Sequence, residues 1–190
     1  MIRLTQHTTG KTNKMNLYFR LILLFFKIKK NKEQHSLLSS VSLNFTTLPS
    51  DCDINFHLTN SRYMAMMDLA RLWMTEKLGL FFIITKRRWL PIVSATAITY
   101  IRDIKPLQKF KVESCLVGWD HKYLYVEQKF ISNKGLHAIG YIRCVFKSKN
   151  GIVTIEEMLE ASGYEGYSPE LPQEIIHWQA MLEAKKQSNQ

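Results

Sequence analysis

Apolar and polar positions divide this chain into stretches of different period. Val41, Leu43 and Phe45 alternate with Ser42 and Asn44, the two-residue rhythm of a short strand with one buried face. Pro49 and Ser50 stop it, and a polar loop runs from Asp51 to Asn60. Tyr63, Met66, Met67, Ala70, Trp73 and Met74 then recur at helical spacing. Thr59, Asn60 or Ser61 can cap that helix, and Gly79 suits its close at Leu78. Apolar residues cover much of its circumference, which predicts a largely buried helix. The pattern next changes to long strands: Trp89–Ile104, rich in β-branched residues and ending near Pro106, then Phe110–Trp119, Lys122–Ser132 and Leu136–Ser148. Asp120-His121 and Asn133-Lys134-Gly135 provide the turns between the last three. Asn150-Gly151 is expected to end the sheet, before a short helix at Ile155–Ala161 and a terminal amphipathic one over about 169–185.

One apolar helix of about five turns needs a surface to cover it, and a curved antiparallel sheet wrapped around it meets that need. The expected class is therefore α+β, with a long central helix inside a curved antiparallel β-sheet. The expected organisation is an N-terminal arm over 1–35, a domain over 36–163 and a C-terminal helical extension over 164–190. Sheets of this kind complete their burial by pairing subunits, so a homodimer or a dimer of dimers is expected.

Charge alters the picture at the N-terminus. The net charge is +10, yet residues 1–35 hold Arg3, Lys11, Lys14, Arg20, Lys27, Lys29, Lys30 and Lys32 against Glu33 alone. The remainder is close to balanced, with no basic stripe to suit nucleic acid. Residues 1–15 are polar and expected to be mobile, and Met15 offers an alternative start. Residues 16–30 are apolar, then basic. The unbroken apolar run Leu21–Phe26 falls well short of the ~20 residues a spanning helix needs. A cleaved leader would carry its positive charges first. Two readings stay open for 16–30: a helix packed on the domain or at a subunit contact, or a peripheral membrane anchor whose apolar side enters lipid while the lysines meet anionic headgroups. Cys52, Cys115 and Cys144 form no CxxC pair, which fits free thiols in a reducing, cytoplasmic setting.

No metal-ligand spacing, glycine-rich phosphate loop or Gly-x-Ser-x-Gly elbow occurs, so no metal and no cofactor is implied. The chemistry concentrates in Asp51-Cys52-Asp53-Ile54-Asn55-Phe56-His57-Leu58-Thr59-Asn60-Ser61-Arg62-Tyr63. That run resembles the entry to the central helix in the hot-dog-fold acyl-CoA thioesterases related to 4-hydroxybenzoyl-CoA thioesterase, nearest the thioesterase-superfamily-member branch. An aspartate pair one residue apart, a short loop with a His, an Asn and a Tyr before an apolar helix make up the match. Tyr100-Ile101-Arg102-Asp103-Ile104-Lys105-Pro106 and Gly118-Trp119-Asp120-His121-Lys122-Tyr123 extend it, and it covers about residues 15–163. There are two departures. Thr59 stands where the family often has a first Asn, and Phe56 where it often has a Gly just before the His.

The resemblance implies hydrolysis of acyl-CoA or acyl-carrier-protein thioesters. Asp53 then stands in the place of the carboxylate that attacks or activates water. Asn60 would cap the helix or orient water, and His57 would hydrogen-bond the carboxylate or the thioester carbonyl. Amides around Asn60, Ser61, Arg62 and Tyr63 would face the developing oxyanion. Arg87 and Arg88 are candidates for the phosphates of CoA. The alternatives are a non-catalytic acyl-binding or membrane-associated protein of the same fold, or a hydratase or dehydratase using His57.

Overall fold

The computed structural model describes residues 11–31 and 33–188, with backbone alone for 11–15. Residues 1–10, part of the stretch expected to be mobile, lie outside the described residues. The remaining part, 11–15, is helical: α1 runs Lys11–Lys30 and begins ahead of the apolar run. After a connector, β1 spans Val41–Thr46, and its buried and exposed positions alternate as the sequence suggests. A single 3-10 turn, Pro49–Asp51, leads to the loop and then to α2, Asn60–Lys77. Gly79 takes the left-handed conformation (φ 71°) that lets the chain leave α2 after Leu78.

The turn at Gly79 leads into a helix that the sequence pattern did not reveal, α3 at Leu80–Arg87. The strands β2 (Leu90–Tyr100), β3 (Lys109–Trp119), β4 (Leu124–Ser132) and β5 (Gly135–Ser148) follow. Asn150-Gly151 turns the chain rather than ending the sheet. A short β6, Gly151–Val153, folds back on the end of β5, where β4 has stopped at Cys144. The helices α4 (Ile155–Ser162) and α5 (Gln173–Gln187) complete the fold.

The sheet is antiparallel throughout, in the order β1-β3-β4-β5-β2, so β1 and β2 are its edges. Against one face lies α2, with Tyr63, Met66, Met67, Ala70 and Trp73 all at most 5 % exposed. Gly140 on β5 permits this close approach, because a side chain there would meet the Met67 thioether. The opposite face carries a second, smaller cluster, where Ile175 and Trp178 of α5 pack on Tyr125. The long helix inside a curled antiparallel sheet is the hot-dog arrangement. Helix α1 packs on the far side of α2 through Leu24 and Ile28. Its inner face therefore follows the first of the two readings, a helix packed on the domain.

Candidate active site

Asp51 and Asp53, alike in sequence, take opposite environments. The Asp51 carboxylate is 1 % exposed and collects four donors. Arg20 Nη2 approaches Oδ2 at 2.7 Å and the Leu48 amide donates to it at 2.9 Å. Asn16 Nδ2 donates to Oδ1 at 2.9 Å, and Arg62 Nε lies 3.4 Å from the same oxygen. Burial pulls the Arg20 pKa down while the Asp51 charge pulls it back up. This cluster pins α1, the 3-10 turn and the start of α2 together, and it accounts for Arg62 turning inward.

Asp53 is exposed at the head of a tight turn. Its amide donates to His57 O at 3.0 Å, and Phe56 N donates to Asp53 O at 3.1 Å. Asp53 Oδ1 accepts from the amides of Asn55 (2.9 Å) and His57 (3.4 Å), the side-chain turn that Asp forms readily. Phe56 sits in the left-handed region at φ 57°, in the place where the family often has glycine. A bridge between Cys52 and Leu58 closes the turn, and Leu58 N donates to Ile104 O at 2.9 Å.

His57 reaches a residue that sequence reasoning passed over. Its Nε2 lies 3.3 Å from Oδ2 of Asp103, which also faces Lys105 at 3.7 Å. Asp103 is held from beneath by His137, a fully buried imidazole. His137 Nδ1 donates to the Asp103 carbonyl at 2.9 Å, and the Ser132 hydroxyl lies 2.7 Å from Nε2. The His137 carbonyl accepts the amides of Ile101 and Arg102.

Thr59 precedes α2 in extended conformation, and its carbonyl accepts the amides of Arg62 and Tyr63 at 2.9 and 3.2 Å. That leaves the amides of Asn60 and Ser61 leading the helix. Both side chains are exposed, with the Ser61 hydroxyl 3.0 Å from that of Thr59. Tyr63 forms the floor, edge-on to Tyr100 at 5.0 Å between ring centroids and tilted on Phe130 at 4.8 Å. Burial pushes its phenol up to about 12, helped by Tyr100 and the Asp103 charge. Ile54, Phe56, Met64, Tyr100 and Ile101 form an exposed apolar rim.

Comparison with known proteins places the chain in a family. The model of a thioesterase-like superfamily matches residues 47–179, from before the aspartate pair into α5. The chain belongs to that superfamily. The THEM6 protein of Xenopus laevis is 28% identical over 167 residues, covering 85% of this chain and 77% of the relative. A probable thioesterase of Saccharomyces cerevisiae is 30% identical over 138 residues, covering 71% and 60%. Among solved structures, a 4-hydroxybenzoyl CoA thioesterase variant complexed with 4-hydroxybenzoyl CoA superposes with a TM-score of 0.56 at 14% identity, over 65% of this chain and 98% of that one. The fold is thus that of hot-dog thioesterases, and the reaction class is thioester hydrolysis.

Within the thioesterase fold, the loop brings Asp53, His57, Asn60 and Ser61 to one end of α2, with Tyr63 below them and Arg62 directed away to Asp51. Arg87 closes α3 and Arg88 caps it, so both come after Gly79, past the end of α2 in sequence that lies away from the Asp53 loop. Arg87 stacks over Trp89 and faces Glu157 at 3.8 Å. Among the described residues no cluster of His, Cys, Asp and Glu is arranged to hold a metal ion.

Proposed function

We propose that the chain hydrolyses acyl-CoA thioesters, with Asp53 as general base. One observation carries the assignment: an exposed carboxylate held by the amides of its own turn, ahead of the leading end of a buried helix. Asp53 takes a proton from water, whose oxygen attacks the thioester carbonyl carbon. The leading amides of Asn60 and Ser61 carry the oxyanion, helped by the positive end of the helix dipole. Collapse of the tetrahedral species breaks the C–S bond, and the departing thiolate takes up the proton. His57, oriented by Asp103, offers its other ring nitrogen for a hydrogen bond at the mouth. CoA in place of a carrier protein agrees with the ligand in the 4-hydroxybenzoyl CoA thioesterase complex.

A homodimer formed along the edge strand β2 completes this reading. Leu90, Val93, Tyr100 and Ile101 are exposed along or beside that edge. Antiparallel pairing about a two-fold axis sets the Leu90 end of one copy beside the Tyr100 end of the other. Arg87 and Arg88 of the second copy thereby approach the first copy's Asp53 loop, where the CoA phosphates need cations. A largely apolar cavity of about 430 Å³, bounded by Met74, Leu78, Phe81, Trp89, Val93 and Phe146, lies beside α3 in each copy and suits an acyl chain. Free thiols and CoA as substrate fit a cytoplasmic enzyme.

The test is release of free CoA from short, medium, long and aromatic acyl-CoAs, with Asp53→Asn in parallel. Hydrolysis is expected for wild type and is expected to fall by about 10²-fold or more in the variant. Full activity in Asp53→Asn would remove the general base. Thermal protection by acyl-CoA without thiol release would make the chain a binder.

A further inference from the structure

We infer that α1 is an interfacial helix that docks the enzyme on anionic lipid surfaces. The inference sharpens the membrane reading of residues 16–30 to a helix face and a headgroup charge. It stands on the geometry of α1 and does not depend on the thioesterase reaction.

Three observations converge. First, α1 is rigidly oriented. Leu24 and Ile28 enter the core, and Arg20 and Asn16 are tied to Asp51. The residues pointing away from the domain are Tyr18, Phe19, Ile22, Leu23, Phe25 and Phe26, each between 43 and 65 % exposed. At 100° per residue they fill one continuous outward arc, centred on Ile22 and Phe26 and opposite Leu24. An apolar surface of this kind is seldom left to water.

Second, the charge on this element is of one sign. From Lys11 to Lys30 the sequence contains no Asp or Glu, and Lys27, Lys29 and Lys30 are exposed in its last turn. Lys29 and Lys30 fall on the outward arc itself, just past Phe26. Aromatic and aliphatic side chains followed by lysines on one face fit a bilayer interface, the chains entering lipid while the ammonium groups meet phosphate or carboxylate headgroups. A second protein surface would have to bury those lysines or bring matching carboxylates.

Third, a groove of about 340 Å³ opens between α1 and β1 beside this arc. Phe19, Leu23, Phe45 and Leu48 line it, together with Arg20 and Lys27. With Arg20 committed to Asp51, apolar walls with the Lys27 ammonium at the rim suit a single lipid chain that carries an anionic head. No helix among the described residues is long and apolar enough to cross a membrane, so α1 lies along the surface.

Sedimentation of the full chain with phosphatidylcholine vesicles, and with vesicles doped with phosphatidylserine, tests this. Wild type is expected to bind the doped vesicles roughly tenfold better or more. Ile22→Asp with Phe26→Asp is expected to abolish binding to both, and Lys29→Ala with Lys30→Ala to remove most of the preference for phosphatidylserine. Melting temperature and vesicle-free hydrolysis of a water-soluble short-chain acyl-CoA are expected to stay at wild-type values in all variants. Failure of docking and failure of chemistry are therefore read separately. Wild type that ignores doped vesicles overturns the inference, as does a double-aspartate variant that binds them equally well. An assembly between copies that the aspartates dissociate, without vesicle binding, overturns it too.

Discussion

Two aspartates a single residue apart give the site its clearest contrast. Asp51 has its charge cancelled inside the protein, and removing that charge leaves Arg20 and Arg62 facing a neutral group. Asp51→Asn is expected to cost about 3 kcal/mol of stability, the scale for breaking a buried pair. Asp53 is exposed, so Asp53→Asn is expected to leave the urea midpoint within error of wild type while acyl-CoA hydrolysis falls. Equal stability losses in the two variants would contradict this division of labour. Phe56 offers a second residue-scale test. A non-glycine residue in the left-handed region carries about 1–2 kcal/mol of strain, and β-branching worsens it. Phe56→Val is therefore expected to lower the melting temperature and Phe56→Gly to keep or raise it, since relief of strain offsets glycine's greater unfolded entropy. A glycine variant less stable than the valine one would show that the exposed ring, not the backbone, decides this position.

At the scale of elements, the hairpin between β3 and β4 is stapled to α5 through one carboxylate. Asp120 accepts the Lys122 and Tyr123 amides at 2.8 and 2.7 Å and the Tyr125 hydroxyl at 2.7 Å, while Gln179 of α5 donates to that hydroxyl at 2.7 Å. Burial alone would raise the Asp120 pKa, but these donors outweigh it and hold the carboxyl below its ordinary value. A depressed carboxyl stabilises the fold above its unfolded pKa and loses that contribution as pH falls through the folded value. Asp120→Asn is thus expected to melt earlier than wild type at pH 7, with the gap closing below about pH 4. A gap that persists in acid would trace the loss to geometry alone. Such elements were legible in the sequence to different degrees. Period-two alternation marked β1 closely, and helical spacing with Gly79 marked α2 to its end. Helix α3 was hidden because Leu80-Phe81-Phe82-Ile83-Ile84 has the composition of a strand, and only the left-handed residues Gly79 and Arg88 at its two ends delimit it. Asp103 stayed hidden for another reason. It lies 46 residues beyond His57, and the bond from Leu58 N to Ile104 O, with the His137 clamp on its segment, brings the two together, a long-range pairing that no local pattern records. Arg20 and Asp51, 31 positions apart, are the same case.

For the whole molecule, the decisive geometry is the separation between the Asp53 loop, which leads into α2, and Arg87 and Arg88, which come after α2 at the end of α3. If a two-fold pairing along β2 unites them, each working site draws on two chains, and defects in different chains should compensate. A chain with Asp53→Asn supplies intact Arg87 and Arg88 but no base; a chain with Arg87→Ala and Arg88→Ala supplies the base but no grip on CoA. Refolded together in equal amounts, half of the dimers would be mixed, and each mixed dimer would hold one complete site and one doubly defective one. Activity at low acyl-CoA concentration is then expected to recover to roughly a quarter of wild type, above the mean of the two variants assayed apart. A mixture that performs only at that mean would show that the arginines do not act across the interface, while leaving Asp53 in its role within each chain. Because each variant chain lacks one of the two parts, no contact within one copy can mimic the rescue.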